Sequence, residues 1–451
     1  MRRFLTAVVF FLLFWGSLDV FAQPLADSPS AILVEQTTGR VLYARNERER
    51  RYPAGLTNML TALVAIEHLA PGDDLIVGSE IRGMPSGFGA GVHSEGEIIS
   101  VQTLLNSLLV RSSGEAARVL AINTVRQAGG RRNIPYNEAE HAFAAMMNEK
   151  ARGLGAQGSN FANPFGSHAD NHFTTAYDLA VITRAFMDNP ILAEIAGTRE
   201  YETQHETWTN ANQMLPRAPM GYAYMTGAMA GFTTPAGHVL AGAAYDTHLS
   251  LGFVTIVLGG TDAERWQDTR RLMDHGFNNF RFREIAREGE VLETVLIENP
   301  RLGDSEMLEI IATASYTALL SRFEYDELAR VITFDPMLYE RHEYEEPIVL
   351  RAPIEYGEAV GTVSYILNGE VLFESAILPS REVIPRTFDS DMDYYLAIFF
   401  ENVFTRRALP YWFGIFGVAF GIFGIVLAVK AHSRVSRKAV RTSSRSKYGR
   451  Y

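Results

Sequence analysis

The chain has 451 residues, 47% of them hydrophobic and 21% charged, with a formal net charge of −11 and no cysteine. That length allows two or three domains, and the balance fits a globular protein with a membrane segment. The missing cysteines exclude disulfides, thiolate metal sites and cysteine nucleophiles, and the acidic balance leaves no electrostatic footprint for nucleic acid.

Residues 1–22 have the pattern of a secretory signal. Arg2 and Arg3 are followed by an apolar run from Leu5 to Trp15, and Val20-Phe21-Ala22 supplies small residues before a cleavage point near Gln23. Ala31-Ile32-Leu33-Val34 and Arg40-Val41-Leu42-Tyr43 then read as two strands around a turn at Gly39. A polar connection leads to Tyr52-Pro53-Ala54-Gly55, where a loop breaks into a helix whose apolar run continues to Leu69. A helix apolar on most sides belongs at the centre of a domain.

Residues 75–100 read as short strands and Gly-rich turns, and Gln102–Leu109 has helical spacing. Arg111-Ser112-Ser113-Gly114-Glu115 precedes a helix reaching about Arg126. Further helices are expected over Phe143–Leu154, Thr174–Met187 and Glu264–His275, and strands over Thr226–Phe232, Val239–Ala244 and Phe253–Leu258. Helices in the middle with strands at both ends imply one sheet flanked by helices.

Residues 283–385 carry six short candidate strands, with Asn368-Gly369 as a hairpin signal, and read as a small all-β domain. The segment Asp389–Arg407 is expected to be helical. Residues 408–429 carry no charge and are long enough to cross a bilayer. The tail, residues 430–451, holds Lys430, Arg434, Arg437, Lys438, Arg441, Arg445, Lys447 and Arg450 with no acidic residue. The positive-inside tendency places this tail in the cytoplasm and the acidic bulk of the chain outside. Gly417 and Gly421 form a small-xxx-small pair that would let two such helices approach as a homodimer.

The stretch Pro53-Ala54-Gly55-Leu56-Thr57-Asn58-Met59-Leu60-Thr61-Ala62 resembles the nucleophile helix of the serine D-alanyl-D-alanine carboxypeptidases, the low-molecular-weight penicillin-binding proteins. Their segment reads Pro-Ala-Ser-Leu-Thr-Lys-Met-Met-Thr-Ala, with the serine acylated and the lysine helping to take its proton. The resemblance extends through Phe161-Ala162-Asn163-Pro164, Thr175-Ala176-Tyr177-Asp178 and Val257-Leu258-Gly259, and more loosely to Ala352-Pro353-Ile354. It implies a penicillin-binding, β-lactamase-like transpeptidase fold of the α/β (α+β) kind over residues 28–280. In that fold helices surround a mainly antiparallel sheet.

The same resemblance exposes what is missing. Gly55 stands at the serine position and Asn58 at the lysine position. The second motif, Ser-Gly-Asn, corresponds to Ser112-Ser113-Gly114, so its serine is kept as Ser112 and its asparagine is Gly114. The third, Lys-Thr-Gly, corresponds to Met229-Ala230-Gly231, and only the glycine is kept. Glycine carries no nucleophile, an amide is not a base near neutral pH, and a thioether cannot hold a carboxylate. The expectation is a non-catalytic homologue at the cell wall, anchored in the inner membrane, that binds a peptidoglycan stem peptide or a protein partner. One alternative is an active carboxypeptidase with displaced groups, Ser112 first among them. The other is a structural module acting through its span and tail. No cofactor is implied. His168, Asp170 and His172 invite a metal, but His172 falls where the family often has a histidine before its Thr-Ala-x-Asp helix, so no metal site is expected. Thr57 is expected to pack, and Glu115 matches a family position that is already acidic.

Overall fold

The computed structural model describes residues 25–88, 92–131, 133–203, 205–339, 348–403 and 409–443. The signal-like residues 1–22, Arg407, Ala408 and the last residues of the basic tail lie outside the described residues. The chain forms two compact units, one of residues up to Phe282 with Leu319–Arg322, the other of Arg283–Ala318 with the residues from Phe323 onward.

The first unit is built on β1 (Ser30–Glu35), β2 (Val41–Arg45), α1 (Thr57–Ile66), β3 (Asp74–Ile76), β4 (Ile98–Ser100), α2 (Val101–Val110) and α3 (Gly114–Gly129). It continues with α4 (Tyr136–Leu154), α5 (Ala176–Asp188), α6 (Pro190–Gly197), β5 (Glu200–Glu202), β6 (Thr207–Thr209), β7 (Met225–Thr233), β8 (Gly237–Asp246), β9 (Leu251–Gly260) and α7 (Asp262–Asn279). The main sheet has the order β2-β1-β9-β8-β7 and is antiparallel throughout. The first strand of the chain pairs with the last of the unit, Ala31 opposite Val257, and β7 is left as an edge.

Local chemistry sets the helix starts. The Ser100, Ser113 and Thr175 hydroxyls each accept the backbone N–H three residues on, which satisfies a donor that the first helical turn leaves open. At α7, Thr261 and Glu264 form a reciprocal capping box. Gly130 and Gly155 end α3 and α4 in the left-handed conformation. The expected central helix is α1, and Thr57 through Ala65 are all buried in it.

Within the first unit, α6 and the β5–β6 hairpin went unread in the sequence. Helix α6 is short, although its start carries both signals: Asn189 Oδ1 accepts from the amides of Ile191 and Leu192, and Pro190 opens the helix. The β5–β6 hairpin has one large apolar residue per strand, Tyr201 opposite Trp208, so no period-two run announces it.

The second unit contains β10 (Phe280–Ala286, whose first residues belong to the first unit), β11 (Val291–Glu298), β12 (Met307–Ala312), β13 (Tyr316–Ser321) and a short α8 (Arg322–Asp326), of which Leu319–Arg322 belong to the first unit, β14 (Ala329–Phe334), β15 (Val349–Arg351), β16 (Gly361–Leu367) and β17 (Glu370–Pro379). Six of these make a sheet of order β14-β16-β17-β12-β11-β15 over a core including Leu308, Leu350, Val363 and Ile377. The chain then forms α9 (Phe388–Val403) and α10 (Leu409–Ser443). Within α10, Pro410–Lys430 is long and apolar enough to cross a membrane. The helix runs on to Ser443, so the described part of the basic tail is helical. A Cβ at Gly414, Gly417, Gly421 or Gly424 would meet nothing within 4 Å.

Candidate functional site

The site is organised by the approach to α1. Residues Ala54–Leu56 form a single 3-10 turn that continues directly into the helix, and Gly55 lies inside that turn. The turn is held from one side by the loop between α4 and α5. A Cβ at Gly166 would stand 1.9 Å from the carbonyl oxygen of Ala54, so only glycine admits this approach. Asn163 shapes the loop from within: its Oδ1 accepts from the amides of Gly166 at 2.8 Å and Ser167 at 3.1 Å. Thr61 Oγ1 donates to the carbonyl of Pro164 at 2.6 Å.

His172 completes this clamp. Its Nδ1 accepts from the Ala162 amide at 3.2 Å and from Asn163 Nδ2 at 3.1 Å, so the proton belongs on Nε2. Nε2 then donates to Thr57 Oγ1 at 3.0 Å. Burial, helped by the charge of His168, pushes the pKa of His172 down to about 4 and keeps the ring neutral. His172 and Thr57 therefore fix the start of α1. His168 lies 3.7 Å from Asp170 and faces Tyr52 edge-on. Among the described residues, no group of three His, Asp or Glu side chains is placed to hold a metal.

Asn58 is 1% exposed. Its Nδ2 reaches the carbonyl of Leu108 at 3.4 Å, which ties α1 to the last turn of α2, while its Oδ1 makes no hydrogen bond to the protein. The chain leaves α2 through Arg111 and Ser112. Ser112 adopts φ +57°, and its buried Oγ makes no hydrogen bond to the protein. Ser113 is occupied as the cap of α3, its Oγ accepting from Ala116 N at 3.2 Å. Gly114 opens α3 against the Phe88 carbonyl, with its N–H donating there at 3.1 Å. A Cβ on Gly114 would lie 2.7 Å from that oxygen, so an asparagine could not stand there without moving the Phe88 loop. Glu115 Oε2 accepts from the amides of Val92 at 3.1 Å and His93 at 3.4 Å.

Met229, Ala230 and Gly231 lie on the edge strand β7, facing the start of α1. A Cβ built on Gly231 would stand 2.6 Å from the Gly55 nitrogen, so strand and turn meet backbone to backbone. Met229 is 1% exposed and belongs to the same buried apolar cluster as Leu56, Leu60, Leu104 and Leu108. Ala230 falls in the other apolar cluster, with Leu240 and Trp266. Two neighbouring residues were not anticipated from the sequence. Arg265 Nη1 donates to the carbonyl of Gly231 at 3.1 Å, while the same guanidinium pairs with Asp262 at 2.5 Å. Gly166, described above, is the other. Neither lies in a sequence motif, since each acts through a contact distant in the chain.

The arrangement brings Gly55 together with Ala230 and Gly231, and Asn58 with the end of α2. It offers no side-chain nucleophile at residue 55 and no amine at residues 58 or 229. The hydroxyls nearby on the chain are bonded to His172, used as a cap, or buried at Ser112.

Residues 19–261 match the family profile described as D-alanyl-D-alanine carboxypeptidase. The chain is 29% identical over 324 residues to the D-alanyl-D-alanine carboxypeptidase DacD of Escherichia coli, covering 69% of this chain and 78% of that one. It is 24% identical over 367 residues to the D-alanyl-D-alanine carboxypeptidase DacF of Bacillus subtilis, covering 79% and 86%. Among solved structures, DacD from Francisella tularensis superposes with a TM-score of 0.58 at 20% identity, covering 80% of this chain and 94% of that one. Penicillin binding protein 6B from Escherichia coli gives 0.57 at 23% identity, covering 77% and 94%. The fold is the one these penicillin-binding proteins share.

Proposed function

The chain belongs to the D-alanyl-D-alanine carboxypeptidase family, and from that premise we propose that it is a non-catalytic member, held at the membrane by the Pro410–Lys430 helix, that binds a peptidoglycan stem peptide or a protein partner at the cell wall. Acyl transfer by a serine peptidase needs a hydroxyl nucleophile, a base to take its proton, and donors for the developing oxyanion. The observation that carries the reading is the meeting of Gly55 with Gly231, where the nucleophile would stand. Asn58 offers an amide in place of an amine. Met229 packs its thioether into the core where the family has a cation for the substrate carboxylate. β7 is an edge of the main sheet whose Gly231 carbonyl is taken by Arg265, and a peptide added as a further strand at its other positions would bind without cleaving.

The test is labelling of the full-length protein in detergent with a fluorescent penicillin, followed by intact-mass analysis. The expected result is no covalent adduct from a protein with a native melting transition. A stoichiometric adduct would overturn the reading, and peptide mapping would then name the displaced nucleophile, with Ser112 the first site to inspect. A second arm titrates a stem pentapeptide ending in D-Ala-D-Ala by calorimetry. Saturable binding without release of D-alanine supports the ligand form of the proposal, and release of D-alanine sinks it.

A further inference from the structure

The end of α10 carries a feature that the site at Gly55 does not use. α10 is one unbroken helix over Leu409–Ser443, while its stretch apolar enough to cross a membrane ends at Lys430. The helix therefore runs on for roughly three and a half turns past that stretch. A helical tail, unlike an extended one, sorts its charges by side.

At about 100° per residue, positions 430, 434, 437, 438 and 441 fall within an arc of about 100°. These are Lys430, Arg434, Arg437, Lys438 and Arg441, every lysine and arginine from residue 430 to the end of the helix. All other positions from 431 to 443 fall outside the arc, and none of them is acidic. The positive-inside tendency accounts for basic residues beside a span, but it is indifferent to the side of the helix they occupy. Their gathering on one side is a separate observation.

That gathering opposes the helix unless something covers it. Lys430–Arg434, Arg434–Lys438 and Arg437–Arg441 are four residues apart, and Arg434–Arg437 and Lys438–Arg441 are three apart. Like charges at these spacings repel and destabilise an isolated helix. An anionic surface along the arc removes the repulsion, and a membrane surface is at hand. Lys430 and Arg441 are about 16 Å apart along the axis. A headgroup layer of about 6 Å and a screening length of about 8 Å together reach nearly that far. Gly417 and Gly421 also fall outside the arc, so a second copy packed on those glycines would leave it open.

We propose that this face of α10 binds the phosphodiester headgroups of anionic phospholipids in the leaflet where the span ends. The inference rests on the reading of Pro410–Lys430 as a span. Guanidinium groups pair with phosphate oxygens two at a time, and the ammonium groups add point charges. Anionic lipids diffuse to a fixed positive face and gather there, whereas phosphatidylcholine carries its own cation and is not held.

The experiment reconstitutes the full-length protein in phosphatidylcholine liposomes. Electron paramagnetic resonance then compares spin-labelled phosphatidylglycerol with spin-labelled phosphatidylcholine. The chain as a whole has a formal net charge of −11, so residues outside the tail give no general preference for an anionic probe. Phosphatidylglycerol is expected to be held about threefold more strongly or better, with that ratio at least halved in 1 M salt, where the screening length is about 3 Å. The Arg434→Gln/Arg437→Gln/Lys438→Gln/Arg441→Gln variant should bring the ratio close to unity. The Ser433→Arg/Arg434→Ser/Ser436→Arg/Arg437→Ser variant keeps composition and charge but moves two charges off the arc, and its ratio should fall well below that of the parent. A ratio equal to the parent's in that variant would overturn the assignment to one face. Protein that washes out of the liposomes at alkaline pH overturns the span and this inference together. Protein that stays in them and holds the two probes equally overturns this inference alone, and that comparison needs no variant.

Discussion

Gly231 on the edge strand and Gly55 at the head of the central helix touch through their backbones: a Cβ on Gly231 would stand 2.6 Å from the Gly55 nitrogen and 3.0 Å from its Cα. The relation is asymmetric. A Cβ on Gly55 would meet the Ala230 oxygen at 3.3 Å and the Gly231 Cα at 3.4 Å, which small shifts accommodate. Gly231→Ala is therefore expected to destabilise the protein by about 2–3 kcal/mol through displacement of strand or turn. Gly55→Ser should cost about 1 kcal/mol or less, and should not by itself restore penicillin labelling, because no base stands beside it. Thermal or chemical denaturation of the two variants checks the order. A Gly231→Ala protein as stable as the parent would show that the two backbones do not meet as described.

Restoring the lysines is a different matter from restoring the serine. Asn58 and Met229 are each 1% exposed, and Met229 packs among apolar side chains. An ammonium at residue 229 would be buried among apolar side chains, and burial of an unpaired charge costs several kcal/mol. Met229→Lys is expected to lower the unfolding free energy by about 3 kcal/mol or more, whereas Met229→Leu should cost less than about 1.5 kcal/mol. Urea unfolding monitored by circular dichroism separates the two. A Met229→Lys protein as stable as Met229→Leu would mean that the region opens to water and that the catalytic cleft is still there.

The Thr57–His172 bond makes a prediction about pH. His172 is held neutral, with its pKa lowered from 6.5 to about 4 by burial, so the unfolded chain binds this proton more readily than the folded one. The contribution of His172 to stability is thus fully present above about pH 6.5 and is lost as the pH falls toward 4. The full swing is about 3 kcal/mol for this one group. Unfolding free energies measured at intervals from pH 7 to pH 4 should fall for the parent, and fall less steeply for His172→Gln, which is less stable at pH 7. Parallel curves for the two proteins would remove His172 as the titrating group.

The sequence carries α1 clearly, because Pro53 and the nearly continuous apolar run after Leu56 are local signals and nine consecutive residues of the helix are buried. It also carries the strand positions of the main sheet, whose β-rich runs stand apart from the helices. What it does not carry are relations made by folding. Nothing near Gly231 in the chain announces that it will meet Gly55, and nothing in Met229 says that its side chain joins the cluster around Leu60. His172 is 115 residues from Thr57, and only the fold turns it from a potential ligand into a clamp.

Ser112 is the residue on which the catalytic alternative depends, and its conformation yields a direct test. It sits at φ +57°, where a residue with a Cβ is strained by about 1–2 kcal/mol and glycine is not. Its buried hydroxyl has no hydrogen-bond partner in the protein. Ser112→Gly removes both penalties, against an unfolded-state entropy cost of about 0.5–1 kcal/mol. The net expectation is a gain of roughly 0.5–1 kcal/mol, or a few degrees in melting temperature. Ser112→Ala keeps the Cβ and the strain, so it should lie closer to the parent. Differential scanning calorimetry of both variants decides the order. If Ser112→Gly and Ser112→Ala both lose stability by more than about 1 kcal/mol, the hydroxyl has a partner that holds it, and its place as an idle residue of the second motif falls.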